Sequence, residues 1–196
     1  MSTAGPPQAA RSAGGAEATP VSADSLQALL DCEAIRDCLY RYCRGIDRCD
    51  EAALRSAYWE DASDCHGAWN GSASGFIDQA LGRMRQGGRR VHQITNVLIE
   101  LHGDRAAVES CFFALQSTAA RPDRETFLCG RYADRFDRRA GTWRVAARTV
   151  VYDWIEERTR PEAAQDSVEL FGLRQPVGCP APMDTIYGLL GAVRAG

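Results

Sequence analysis

From Ser25 onward, apolar residues recur at three- and four-residue steps. Leu26, Leu29, Leu30, Ile35, Leu39, Tyr42 and Ile46 follow this spacing apart from one longer gap, which predicts an amphipathic helix. Ser22 or Asp24 can cap its start. Gly45 weakens its last turn, and Asp47-Arg48-Cys49-Asp50 ends it. Asp50 can then cap a second, short helix from Glu51 to about Tyr58. Ala62–Gly67 reads as a short strand closed by a turn at Trp69-Asn70-Gly71. A third helix from Ser74 to Arg85 carries Phe76, Ile77, Ala80, Leu81 and Met84 on one face and stops at Gln86-Gly87-Gly88.

Beyond this point the period changes. Arg90–Leu101 is rich in Val, Ile and Leu, and His102-Gly103-Asp104 is a hairpin signal. Arg105–Thr118 returns, a turn falls at Ala120–Glu125 around Pro122-Asp123, and Thr126–Arg138 goes out again. Arg139-Ala140-Gly141 turns the chain into Thr142–Ile155. Three helices that precede or interrupt a four-strand antiparallel meander place the chain in the α+β class.

The ends differ in composition. Ala, Gly, Pro, Ser and Thr fill 18 of the first 24 positions, too little apolar surface to offset the entropy of ordering. Residues 1–24 are therefore read as a disordered tail, 25–158 as one domain and 159–196 as an irregular extension. Pro161, Pro176, Pro180 and Pro182 keep that extension from forming one long element, and Met183–Val193 has weak helical potential.

The whole chain of 196 residues has ordinary globular composition and a formal net charge of −3, and its 23 basic residues are all arginine. That balance argues against general attraction to nucleic acid. Neither a leader sequence nor an apolar run of about 18 residues stands in it, so the expected location is cytoplasmic with no membrane contact. The eight cysteines include no C-x-x-C pair, and small buried thiols are expected rather than disulfides or a zinc site.

Three histidines make candidate chemistry easy to enumerate. His102 falls in a hairpin turn and is expected in solvent. His66 follows Asp64 and Cys65 near a strand end, where it can face a cavity. His92 opens a long strand, as a core or edge residue or as a base. Asp47 closes the first helix, on the unfavourable end of its dipole. It is either a turn carboxylate beside Arg48 or, if buried, a carboxylate that needs a cationic partner such as an imidazolium. Tyr42 lies five residues before Asp47, roughly 140° away around an ideal helix. It is a core aromatic, or it shares a cavity with Asp47 if Gly45 lets the helix end bend. Trp59, Trp69, Trp143 and Trp154 suit a pocket or an interface equally.

Taken together, Ala34-Ile35-Arg36, Arg41 through Arg48, His92-Gln93-Ile94-Thr95-Asn96, Gly130 through Phe136 and Gly141 through Val145 resemble the SnoaL-like branch of the nuclear transport factor 2-like superfamily. That branch includes scytalone dehydratase, bile-acid dehydratase and lindane dehydrochlorinase. The resemblance covers roughly residues 25–158 and implies a cone: a strongly curved, mostly antiparallel sheet wrapped around three N-terminal helices, with one deep pocket. It implies that His92 is a general base oriented by Asp47, with Tyr42 assisting the leaving group or substrate. It also implies a homodimer or homotrimer.

A carboxylate on one imidazole nitrogen sets the tautomer and stabilises the cation formed on proton abstraction. Such a dyad needs no metal or organic cofactor. The implied activity is a lyase, dehydratase or isomerase acting on a small hydrophobic cyclic metabolite. An epoxide hydrolase or polyketide cyclase, with Asp47 as acid or base, and a non-catalytic ligand-binding protein are the alternatives. Where relatives carry an extra acid or phenol, Asp64–His66 stands here, so His66 is a substrate-binding candidate. Gln116 is the nearest polar residue where some dehydratases carry a second-strand carboxylate. Arg131 is expected either to bind an anionic or carbonyl oxygen or to face outward in a salt bridge.

Overall fold

The computed structural model describes residues 22–159 and 176–196. The expected tail, apart from Ser22–Asp24, and residues 160–175 of the extension lie outside the described residues. Helix α1 (Ala23–Arg48) starts on the Ser22 side chain, which accepts from the Ser25 N–H, while Asp24 sits in the first turn. It ends at Cys49 in the left-handed region, φ 52°. The Asp50 N–H returns to the Gly45 carbonyl at 3.0 Å, the closure that satisfies the last open carbonyls of a helix. Asp50 in turn caps α2 (Glu51–Ser56).

Gly45 does not interrupt the helix but serves the packing of α2. A side chain there would meet the Leu54 backbone at 2.6 Å, so the missing Cβ lets α2 close on α1, and α1 runs unbroken to Arg48. The first apolar turns also differ from the reading. Leu26, Leu29 and Leu30 are 53%, 64% and 56% exposed, because no described residue covers that end. The buried stripe begins at Asp31 and Ile35. Asp31 pins the helix by accepting from Trp143 Nε1 at 2.9 Å and Arg138 Nη1 at 3.0 Å.

Strand β1 (Tyr58–His66) is longer than Ala62–Gly67 and begins at Tyr58, where α2 was expected to end. Trp69-Asn70-Gly71 is not a turn but the body of β2 (Trp69–Ser72), since the reversal is made at Gly67-Ala68. Ser72 then caps α3 (Ala73–Met84). The long strands are β3 (Arg90–His102), β4 (Arg105–Thr118), β5 (Arg121–Arg139) and β6 (Thr142–Thr159). The β4–β5 reversal is at Ala119-Ala120, with Arg121 opposite Thr118. Pro122 therefore lies near the start of β5, where the missing N–H is tolerated.

The six strands run in the order β2-β1-β6-β5-β4-β3, antiparallel except for the β1–β6 pair. The sheet is curved and unclosed. Register shifts fall between Ile94 and Val97, Cys129 and Gly130, and Arg135 and Phe136, and such bulges bend strands. At Gly130 a Cβ would stand 2.1 Å from the Val151 carbonyl, so only glycine permits the close approach of β6. The core fills the space between the concave face and α1–α3, with Ile35, Leu39, Tyr132, Phe136 and Val145 almost fully buried.

A last helix, α4 (Thr185–Ala195), falls close to the stretch with weak helical potential and buries none of its residues. The segment is tied to the end of α1 by Arg48–Asp184 (3.3 Å), by Ala181 N–H to the Arg48 carbonyl (2.7 Å) and by the Tyr187 hydroxyl to Asp50 (2.8 Å). Among the described residues no helix is long and apolar enough to cross a membrane.

Candidate active site

A cavity of about 330 Å³ lies inside the cone between the concave sheet face and helices α1 and α3. Tyr42 and Ile46 enter it from α1, Phe76 and Met84 from α3, and His66, His92, Phe112, Gln116, Leu128, Tyr132 and Tyr152 from five strands. The register explains this grouping. His92 lies opposite Ala114, which faces Leu128, and Ile94 opposite Phe112, which faces Gly130, so these positions share the inner face.

β3 is the edge of the sheet, and its outer backbone groups have no further strand to pair with. At His92 the end of α1 takes that role. The Asp47 carboxylate accepts the His92 backbone N–H at 2.9 Å and contacts the ring Nδ1 at 2.6 Å. Both side chains are about nine-tenths buried, 11% and 10% exposed. A carboxylate only accepts, so Nδ1 carries the proton and Nε2 is the basic nitrogen of the neutral ring. His92 lines the cavity whereas Asp47 stands behind it. The charge at the helix C-terminus is thus balanced by two donors from one residue.

Tyr42 lines the cavity from a helix that runs unbroken past it to Arg48. Its ring packs edge-on against Tyr58 and Tyr132, with centroids 6.0 and 5.6 Å away. Its buried hydroxyl makes no hydrogen bond of ordinary length. Burial pushes that phenol above the usual tyrosine range, against the pull of the nearby Arg148 guanidinium, so Tyr42 is a donor at neutral pH.

The other predicted site residues separate. His66 lines the cavity, stacked on Phe76 at 4.3 Å. Gln116 lies in its lining. Arg131 does not enter it: the side chain bridges Glu109 and Asp153, each at 3.1 Å, on the exposed convex face. His102 is exposed at the end of β3. None of the four tryptophans lines the cavity. Trp59 lies under Arg139 and Arg144, Trp69 packs by Gly75, Trp143 holds Asp31, and Trp154 is exposed. All eight cysteines are free. Burial raises Cys38 to about 11 and, with Asp47 adding to it, Cys43 to about 12, so both are protonated thiols.

The sequence reading missed a buried polar network under the cavity. Arg148 donates from Nε and Nη2 to Asp134 at 2.8 and 2.6 Å, and both side chains are fully buried. Its third nitrogen reaches the Tyr58 hydroxyl at 3.3 Å, and that hydroxyl donates to Asp64 at 2.7 Å. The guanidinium also lies 4.3 Å from the Tyr42 ring centre and 4.1 Å from that of Tyr132. Burial opposes its charge, but Asp134 more than compensates and holds Arg148 well above the ordinary arginine range. The signal was available. Tyr132, Asp134 and Phe136 alternate on one face of a core strand, and Arg148 interrupts a Val/Ala run.

The family profile described as the SnoaL-like domain matches residues 27–149. Comparison with curated proteins returns no significant match. Among solved structures, a hexachlorocyclohexane dehydrochlorinase (LinA, type 2) is 20% identical, with a TM-score of 0.63 over 68% of this chain and 93% of that one. A scytalone dehydratase-like protein from Novosphingobium aromaticivorans DSM 12444 is 18% identical, with a TM-score of 0.62 over 70% and 97%. Rv3472 from Mycobacterium tuberculosis, a protein of unknown function, is 25% identical, with a TM-score of 0.58 over 69% and 78%.

Proposed function

The chain belongs to the SnoaL-like domain family, with the fold of the nuclear transport factor 2-like superfamily, and we propose that it is a lyase of the dehydratase type, or an isomerase. Its substrate is a small hydrophobic cyclic metabolite. The observation that carries this reading is the 2.6 Å contact between Asp47 and His92, whose ring lines the cavity inside the cone.

In this mechanism His92 Nε2 removes a proton from carbon beside an activating carbonyl. Asp47 holds the ring and stabilises the imidazolium. Tyr42, which lines the cavity, donates its hydroxyl proton to the developing enolate oxygen, a donor placed where charge appears. The electron pair then expels a group from the neighbouring carbon or is reprotonated elsewhere in an isomerisation. Ile46, Phe76, Phe112 and Leu128 in the lining lower the local polarity and strengthen each of these interactions. The residues perform these steps without a metal or organic cofactor. Hydrolysis or cyclisation with Asp47 as the reacting acid or base fits less well, because Asp47 does not line the cavity.

The expected homo-oligomer is retained as part of this reading. Val91, Phe113, Leu115 and Trp154 are exposed on neighbouring strands of the convex face, an apolar patch suited to a second copy.

The test is turnover of cyclic β-substituted ketones by wild type, His92→Gln and Asp47→Asn. Each variant should lose about 100-fold or more in kcat. Asp47→Asn should keep its melting temperature close to wild type while losing rate. Unchanged turnover in His92→Gln sinks the dyad, and binding of such ketones without any product favours a ligand-binding protein.

A further inference from the structure

The cavity holds a second histidine–carboxylate pair across from the first. Asp64 and His66 are two residues apart on β1, so both point to the inner face. Asp64 is fully buried. Its Oδ1 faces His66 Nδ1 at 3.4 Å, too loosely for a hydrogen bond, and neither atom has a hydrogen-bond partner. The His66 ring is clamped between Phe76, stacked at 4.3 Å, and Tyr152, edge-on at 6.4 Å. Ordinary core packing leaves no reason to orient an unpartnered imidazole nitrogen at an unpartnered buried carboxylate oxygen, since each buried polar group costs stability unless satisfied.

The two pairs are not equivalent. Asp47 directs both oxygens to His92. Asp64 already commits Oδ2 to the Tyr58 hydroxyl, behind which stands the Arg148 guanidinium. His92 is thus pinned by two contacts to one carboxylate, whereas His66 is held by ring packing and one long contact. An elimination needs one group to take a proton and another to give one, and the cavity offers two imidazoles for the two tasks.

We propose that His66, positioned by Asp64, is a second catalytic residue that protonates a departing oxygen, and that the substrate therefore carries a hydroxyl rather than a halide as its leaving group. This rests on the reading of His92 as the base. In the step, neutral His92 Nε2 takes the carbon-bound proton, and the C–H electron pair becomes a carbon–carbon double bond as the C–O bond breaks. The oxygen takes both electrons of that bond and the Nε2 proton of cationic His66, and leaves as water. His92 ends as imidazolium and His66 as neutral imidazole. One proton exchanged through solvent restores both. Chloride is a stable anion and needs no such donor, whereas hydroxide does.

The experiment uses two probes that give the same enone, β-hydroxycyclohexanone and β-chlorocyclohexanone, followed by enone absorbance with the full-length protein. His66→Gln should lower water release far more than chloride release, so that the ratio of the two rates falls about 100-fold. His92→Gln should lower both rates and leave their ratio near that of wild type. An unchanged ratio in His66→Gln overturns the proposal while leaving His92 as the base. Undiminished rates in His92→Gln overturn the dyad reading itself, and a wild type inert toward both probes removes the two together. A readout independent of turnover is NMR of labelled imidazole nitrogens, which three histidines keep simple. His66 Nδ1 should carry a proton whose signal moves in Asp64→Asn while the His92 signals stay. An unprotonated His66 Nδ1 in wild type refutes the pairing.

Discussion

Removing one member of the Arg148–Asp134 pair isolates the physics beneath the cavity. Arg148 makes two hydrogen bonds to Asp134, at 2.8 and 2.6 Å, and both side chains have zero exposure. Breaking such a pair from one side strands the other charge and costs about 3–5 kcal/mol. The two directions should differ. In Asp134→Leu the guanidinium remains and cannot lose its proton, so the cost should fall near the upper end, about 5 kcal/mol. In Arg148→Met the stranded carboxylate can take up a proton and neutralise itself, which limits the cost to about 3 kcal/mol. The double variant Asp134→Leu/Arg148→Met removes both charges and should recover to within about 1 kcal/mol of wild type.

The escape route of Arg148→Met also predicts a pH dependence. Burial already pushes the Asp134 carboxyl upward, and the Arg148 charge is the main opposing influence. Without it the folded-state value rises further above the unfolded one, about 3.9. The folded state then binds more protons than the unfolded state between the two values. Relative to wild type, Arg148→Met should be least impaired below about pH 4 and lose up to about 1.4 kcal/mol per unit as pH rises through that window. Urea unfolding followed by far-UV circular dichroism at several pH values measures all of this. Single variants that each cost under about 1 kcal/mol, a double variant no better than the singles, or a wild-type pH profile in Arg148→Met would refute the reasoning.

Three further outcomes follow from other contacts. Gly45→Ala should cost about 3 kcal/mol and lower turnover, because its Cβ would sit 2.6 Å from the Leu54 backbone and displace the end of α1 that carries Asp47; urea unfolding beside a rate assay checks both, and a neutral variant argues against the close α1–α2 contact. Asp50→Ala removes the α2 cap and the acceptor of the Tyr187 hydroxyl; about 1 kcal/mol should be lost, and hydrogen exchange across 185–195 should quicken, whereas unchanged exchange would mean that Tyr187 does not anchor α4. Phe113→Arg combined with Trp154→Glu should convert an oligomer to monomer in light scattering after size exclusion, and a monomeric wild type would dispose of the convex-face interface.

Much of the fold was legible along the chain because its elements are long and strongly periodic. Seven apolar positions at helical steps announced α1, and four long segments set off by turn signals announced β3 to β6. Errors clustered where local signals compete. Trp69-Asn70-Gly71 carries turn residues yet is a strand, since pairing with β1 satisfies its backbone. Pro122-Asp123 marks a turn on composition, yet the two-residue reversal falls just before it. Leu26, Leu29 and Leu30 have the spacing of a buried face, and spacing cannot say whether anything lies opposite.

The site divides in the same way. Residue types made His92, His66, Asp47 and Tyr42 candidates, because few side chains near neutrality can move a proton, and the family resemblance gave His92, Asp47 and Tyr42 their roles. What the sequence could not decide is which of them meet. The Asp47–His92 contact spans 45 residues and depends on β3 being the sheet edge, a property of strand order. Arg131 and Asp134 are three residues apart on one strand. One lies in solvent between two carboxylates and the other is buried against Arg148; alternation puts them on opposite faces, and which face turns inward is set by the helices that pack on the sheet. Local chemistry and periodicity are written in neighbouring residues and can be read there. Burial, pairing and the choice between acid and base arise from residues far apart in sequence, and only the closed fold brings them within a few ångströms.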